Sequence, residues 1–175
     1  MKENDQKPLA VASNTKQPNS KHCFVCGVEN NYGLGLEFFE IGDGRVAAER
    51  SLPDSYQGYP GIVHGGIVAS MLDEIAGRAA MIGDHTHFRL TAKLDIRYRQ
   101  PVPVGERIRV LGWVVEDRGK LATAHAEIRL ADGSVAAEAE AVLADLPDAP
   151  ETEEVLAELG WRVYPDPGSN QGRDA

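Results

Sequence analysis

Gly61-Ile62-Val63-His64-Gly65-Gly66-Ile67-Val68-Ala69-Ser70-Met71-Leu72-Asp73-Glu74 is the stretch that decides the fold. Val68, Met71, Leu72, Ile75, Ala79 and Ile82 recur at intervals of three and four, the period of an apolar helix stripe. A long helix is expected over residues 66 to about 82, stopped by Gly83-Asp84. A histidine and two glycines stand at its mouth. First-turn N–H groups have no partner inside a helix, and with the positive helix end they can hold charge developing on an oxygen. Gly65 and Gly66 would let a ligand approach the backbone, although the same pair also suits close packing of helix on strand. Asp73 follows roughly two turns later. Its face carries Gly66, Ala69, Ser70 and Gly77, all small, as a ligand channel or close subunit contact requires. A carboxylate there is costly unless it is paired or used. These features point to acyl transfer or hydrolysis.

Outward from the helix, the chain reads as strands. Leu34 to Ile41 and Arg45 to Ser51 flank a Gly42-Asp43-Gly44 turn. Leu90, Ala92, Leu94, Ile96 and Tyr98 alternate with Thr91, Lys93, Asp95, Arg97 and Arg99, giving a half-buried strand with one polar face. Arg107 to Glu116, Leu121 to Leu130 and Ser134 to Ala144 follow, joined by loops of hairpin type. The stripe on the helix is wide enough to need the apolar face of a sheet around it. The expected class is α+β, an antiparallel sheet of five to six strands wrapped around one long helix.

The 175 residues suit one domain with tails. Residues 1–20 are polar and are expected to be a disordered tail, 21–147 the domain, and 148–175 an acidic tail with a short helix whose Val155, Leu156 and Leu159 could dock. A net charge of −9 argues against a nucleic-acid partner. No apolar run reaches membrane-spanning length, and the first residues lack the core of a signal peptide. Two cysteines cannot make a disulfide framework, so a cytoplasmic setting is expected.

Gly65 and Asp73 are eight residues apart, about 12 Å along a helix axis. An oxyanion donor and a catalytic carboxylate must both lie within about 3 Å of one reacting centre. One copy of the helix cannot supply both. A second, antiparallel copy can, which implies at least a dimer with composite sites. His64 could bond the backbone or position a ligand. His85 and His87 fall in a loop and are expected to be solvated, and His22 and His125 show no partner pattern. Cys23-x-x-Cys26 beside His22 resembles half a zinc knuckle, but a closed site needs four ligands and no second pair exists. No metal is therefore expected, and the cysteines are read as packing in a tight turn. Lys93, Arg97, Arg99 and Arg107 are either a solvated sheet face or a landing place for the phosphates of a nucleotide-tailed substrate.

Residues 22 to 146 resemble the hot-dog acyl-CoA thioesterases of the phenylacetate-degradation (PaaI-like) type. The likeness rests on Cys23-Phe24-Val25-Cys26-Gly27 with Asn30 and Gly33-Leu34, on Ser55-Tyr56-Gln57-Gly58, and on Val63-His64-Gly65-Gly66 with Asp73. Leu90-Thr91-Ala92-Lys93-Leu94-Asp95-Ile96 and Arg99-Gln100-Pro101-Val102-Pro103 continue it. The resemblance implies a homodimer joined edge to edge through its sheets, or a dimer of dimers (a homotetramer), an acyl-CoA substrate and no cofactor. It implies Asp73 as the catalytic carboxylate, the Gly65 N–H as donor to the thioester carbonyl, and His64 as support for the helix mouth. Thr91 matches a position that orients the attacking water or the carboxylate. Gln57 lies near a position where an amide side chain contacts the carbonyl. Gly66 at the helix mouth and Lys93, Arg97 and Arg99 of the basic face complete the expected substrate-binding set. By strict alternation Thr91 points away from the helix, so a bulge or the subunit interface must bring it in. The alternatives are a non-catalytic acyl-CoA binding module of the same fold and, ranked lower, a dehydratase or hydratase, for which His64 is too far from Asp73.

Overall fold

A computed structural model describes residues 15–146 and 152–165. Seven antiparallel strands form one sheet. They are β1 (Thr15–Lys16), β2 (Phe39–Gly42), β3 (Arg45–Ser51), β4 (Arg89–Tyr98), β5 (Arg107–Asp117), β6 (Leu121–Arg129) and β7 (Val135–Asp145), in the spatial order β1-β2-β3-β5-β6-β7-β4. Helix α1 (Gly65–Ala79) lies on the concave face, and a short α2 (Glu153–Leu159) follows the sheet.

The apolar stripe of α1 behaves as its period requires. Val68, Met71, Leu72, Ile75, Ala76 and Ala79 are buried. They meet Val110, Ala124, Ala126, Ile128, Ala139, Ala141 and Leu143 of β5, β6 and β7. Alanines on β6 and β7 keep the sheet wall thin, so the helix can sit close. Each fully buried Leu, Ile or Met contributes about 1.5–3 kcal/mol. Gly112 marks the tightest approach: a Cβ there would stand 2.6 Å from the backbone oxygen of Ile75. The helix ends three residues before the expected Ile82. Its last N–H groups tighten to partners three residues back, Met81 to Arg78 and Ile82 to Ala79, ahead of Gly83 at φ 88°.

Two expectations are corrected. Residues 15–20 do not share the disorder expected of residues 1–20. β1 pairs with β2, and Gln17 and Asn19 are buried. The polar side chains that suggest disorder here bond backbone: Gln17 Nε2 donates to Arg78 O (3.1 Å), and Asn19 Nδ2 to Cys26 O (2.7 Å) and Leu36 O (2.9 Å). This β1 strand is the one that exceeds the expected five to six. Residues 1–14 lie outside the described residues. The second correction concerns 34–38, expected as strand. Leu34, Leu36 and Phe38 alternate into the core, but their backbone bonds a loop: Leu34 N donates to Phe24 O and Leu36 N to Val25 O. The expected acidic helix near the C-terminus is present as α2, yet Val155 and Leu159 stay exposed. Docking falls to Trp161, whose Nε1 donates to His85 O (2.8 Å) and whose ring lies 5.2 Å from that of Phe88.

Candidate active site

The α1 mouth is built by one residue. His64 has φ −58° and ψ 136°, caps the helix, and its Nδ1 accepts the Gly66 N–H at 2.9 Å. Its carbonyl oxygen accepts the Ile67 and Val68 N–H groups. The Gly65 N–H is left with no partner among the described residues. Gly66, expected as a second ligand donor, has its N–H occupied by the imidazole instead. His64 Nδ1 is therefore occupied at the helix mouth.

Tyr98 completes this corner, and the sequence reading did not single it out. Its hydroxyl donates to Gly65 O at 2.9 Å. The signal was its place as the last residue on the apolar side of β4. A cleft of about 390 Å³ opens beside the mouth, lined by Tyr59, His64, Gly65, Val68, Tyr98 and Val102 among others. Gln57 is not among the lining residues. Its Oε1 accepts the Gly61 N–H at 3.2 Å and closes a local turn.

Asp73 is half-buried and makes no hydrogen bond or ion pair among the described residues. Its neighbour Glu74 behaves differently, accepting Arg78 Nε at 2.9 Å. The small-residue face around Asp73 is uncovered: a Cβ at Gly77 would meet nothing within 4 Å. Within one chain the carboxylate stays about 12 Å along the axis from the Gly65 N–H.

Thr91 is resolved by a bulge. Thr91 opposes Leu143 and Lys93 opposes Val142, so Ala92 is an extra residue in β4. Leu143 is buried against the helix, and directly opposed residues share a face. Thr91 therefore lies on the helix side with Leu94, Ile96 and Tyr98, whose partners Ala141, Ala139 and Ala137 are also core residues. The strand has β7 on one side and an open edge on the other, where Leu90 and Tyr98 are half exposed.

The basic cluster does not assemble as one patch. Lys93 and Arg97 oppose Val142 and Glu138 on the outer face of the sheet. Lys93 pairs with Asp95 (2.5 Å) and Arg99 with Glu138 (2.5 Å). The hydrogen bond from Arg99 holds Glu138 below the usual carboxylate range. Arg107 is on β5, bonded to Glu49 of β3, away from the β4 edge. The two loop histidines are not simply solvated either. His85 pairs with Glu40 (2.7 Å), and His87 with Asp145 (2.8 Å), which holds Asp145 below the usual carboxylate range.

Residues 60–137, from the helix mouth to β7, match the model of the thioesterase superfamily. Over that segment the chain is similar to the thioesterase superfamily. Its sheet wrapped around α1 is the hot-dog fold. Among relatives, acyl-coenzyme A thioesterase THEM4 of Rattus norvegicus is 35% identical over 75 residues, 41% of this chain and 31% of the relative. The chain thus spans about a third of that relative's length. A solved thioesterase superfamily protein is 34% identical with a TM-score of 0.66, covering 71% of this chain and 61% of that one. The E. coli PaaI protein from the phenylacetic acid degradation operon has a TM-score of 0.59 at 14% identity, over 65% of this chain and 81% of that one, a likeness of fold. No helix among the described residues is long and apolar enough to cross a membrane.

Proposed function

We propose that this protein is an acyl-CoA thioesterase that hydrolyses the thioester of an acyl- or aryl-acyl-CoA to the free acid and CoA. The observation that carries this reading is Asp73, a half-buried carboxylate with no partner among the described residues, on an uncovered helix face of a chain similar to the thioesterase superfamily. The rat relative's name supports the substrate class.

The site is completed by a second copy. The open β4 edge is the surface on which two sheets join, giving a homodimer that can pair again as a dimer of dimers. This runs the two α1 helices antiparallel, so that Asp73 of one faces the Gly65 N–H of the other. The thioester carbonyl oxygen accepts that N–H, which strengthens as the oxygen becomes an oxyanion. Asp73 acts by one of two routes. As nucleophile it attacks the carbonyl carbon, expels the CoA thiolate and forms a mixed anhydride that water cleaves. As general base it takes a proton from the attacking water, and the same thiolate leaves. Thr91 on the helix side orients the water or the carboxylate. His64 and Tyr98 act through Gly65 as positioning residues. The thiolate needs no strong acid to depart, and the route uses no cofactor. A reducing compartment such as the cytoplasm suits the two free cysteines.

The test is CoA release from short, medium, long and aryl acyl-CoAs by wild type and Asp73→Asn. We expect turnover on at least one substrate and a loss of about 10²–10⁴-fold in the variant. An Asn variant with the wild-type rate would remove Asp73 from the chemistry. Tight acyl-CoA binding with no turnover by wild type would replace the enzyme with a binding module.

A further inference from the structure

A second cluster lies one residue along from Asp73, on the other side of α1. Cys23 Sγ, Cys26 Sγ and a Glu74 carboxylate oxygen lie within 4.8 Å of one another. Cys26 is buried, and Cys23 and Glu74 are half-buried, leaving the cluster open to solvent on one side. We propose that these three residues bind one zinc ion, which clamps the segment between β1 and β2 onto the middle of helix α1.

The donor set fits the ion. Two thiolates and a carboxylate are ligands that Zn²⁺ accepts in tetrahedral geometry. Ligand bonds of about 2.3 Å to sulfur and about 2.1 Å to oxygen at the tetrahedral angle put sulfur and oxygen about 3.6 Å apart. Cys23 Sγ and Glu74 Oε2 are 3.7 Å apart. The ion therefore fits with almost no movement of that pair, and water takes the fourth position.

The turn is shaped to present sulfur. Cys23 Sγ accepts the backbone N–H groups of Val25 (3.3 Å) and Cys26 (3.4 Å). Backbone donors aimed at a ligating sulfur orient it, as the outer-shell partners of a metal site do. Gly27 donates its N–H to Cys23 O at 2.9 Å, and any side chain at Gly27 would strike that same oxygen. Asn30 Nδ2 donates to His22 O (3.2 Å) and fastens the far side of the loop.

The charges around the cluster balance with the ion in place. Glu74 uses its other oxygen, Oε1, to accept Arg78 Nε. Arg78 is buried, stacked between Phe38 (4.6 Å) and Trp161 (4.7 Å). Two thiolates, a carboxylate, the guanidinium and a divalent cation together are neutral. The sequence reading rejected zinc because it counted cysteines and histidines alone. The third ligand comes from the helix, far away in sequence, and folding brings it in.

The test uses the full-length protein, stripped with a chelator and kept reduced. Zn²⁺ is titrated against a chromophoric competitor, and Co²⁺ is used as a spectroscopic stand-in. The expected result is one Zn²⁺ per chain, thiolate-to-cobalt charge-transfer absorption of a tetrahedral site, and a raised melting temperature. Cys26→Ser should abolish the charge-transfer band or halve it, and weaken Zn²⁺ binding by at least about 10²-fold. Glu74→Gln, which keeps both cysteines and the side-chain shape, should weaken binding about 10-fold or more and retain the sulfur band. No Zn²⁺ bound by the reduced wild type overturns the proposal. So does binding unaffected by Cys26→Ser or by Glu74→Gln. None of these readouts depends on thioesterase activity.

Discussion

Replacing Gly65 with proline isolates a single hydrogen-bond donor. Gly65 is the first residue of α1, after the cap His64. Proline is favoured at that position because its missing N–H has no partner in the helix and its φ is already helical. The residue before a proline must be extended, and His64 has ψ 136°. A Cβ at Gly65 would touch the Tyr98 ring and hydroxyl at 3.7–3.8 Å, ordinary contact. Gly65→Pro therefore keeps the fold, and its unfolding free energy should stay within about 1 kcal/mol of wild type. In the proposed mechanism the reaction loses its oxyanion donor, a loss expected to cost about 10²–10³ in kcat, or about 2.7–4 kcal/mol. Gly65→Ala is the control: it keeps the N–H and adds the same Cβ, so kcat should stay close to wild type. The assay is steady-state CoA release beside a urea denaturation curve. A folded proline variant with undiminished kcat would refute the assignment of the Gly65 N–H. Equal losses in the alanine variant would point to crowding against Tyr98 instead.

Two further predictions follow from the same geometry. Co-refolding equal amounts of Asp73→Asn and Gly65→Pro chains should restore about a quarter of wild-type activity, because half the dimers are mixed and one of their two composite sites is intact; no recovery would place both groups in one chain. Gly112→Ala should destabilise the fold by about 1–3 kcal/mol in chemical denaturation, because its Cβ meets the Ile75 carbonyl oxygen at 2.6 Å and neither helix nor sheet can recede; an unchanged midpoint would mean that α1 shifts freely on the sheet.

How much of this was legible depended on whether burial constrained the pattern. The α1 stripe is enclosed by β5, β6 and β7, so its period reads directly. The hairpins β5–β6 and β6–β7 were legible from their turns, and their bounds differ from expectation by a residue. Strand β4 was legible as a strand but not in register. It is an edge strand with both faces partly exposed, so burial does not enforce its alternation. The apolar residues Leu90, Ala92 and Leu94 run on unbroken through a bulge that only the pairing with β7 exposes. Gln17 and Asn19 mislead for a related reason: they are buried through backbone bonds that composition cannot register.

The candidate site divides along the same line. Gly65 and Asp73 are readable because a helix has a fixed rise, so eight residues become a distance. That distance is too long for one catalytic centre, and the proposed composite site rests on it. Interactions that cross between elements had no such ruler. The His64 ring takes the Gly66 N–H, and Tyr98 reaches back from β4 to the Gly65 carbonyl. Glu74 turns toward Cys23 while Asp73, one residue before it, has no partner among the described residues. Two adjacent acids that look alike in sequence thus have opposite surroundings. Asp73 has no partner among the described residues, and in the reading proposed above the substrate and the second subunit supply one.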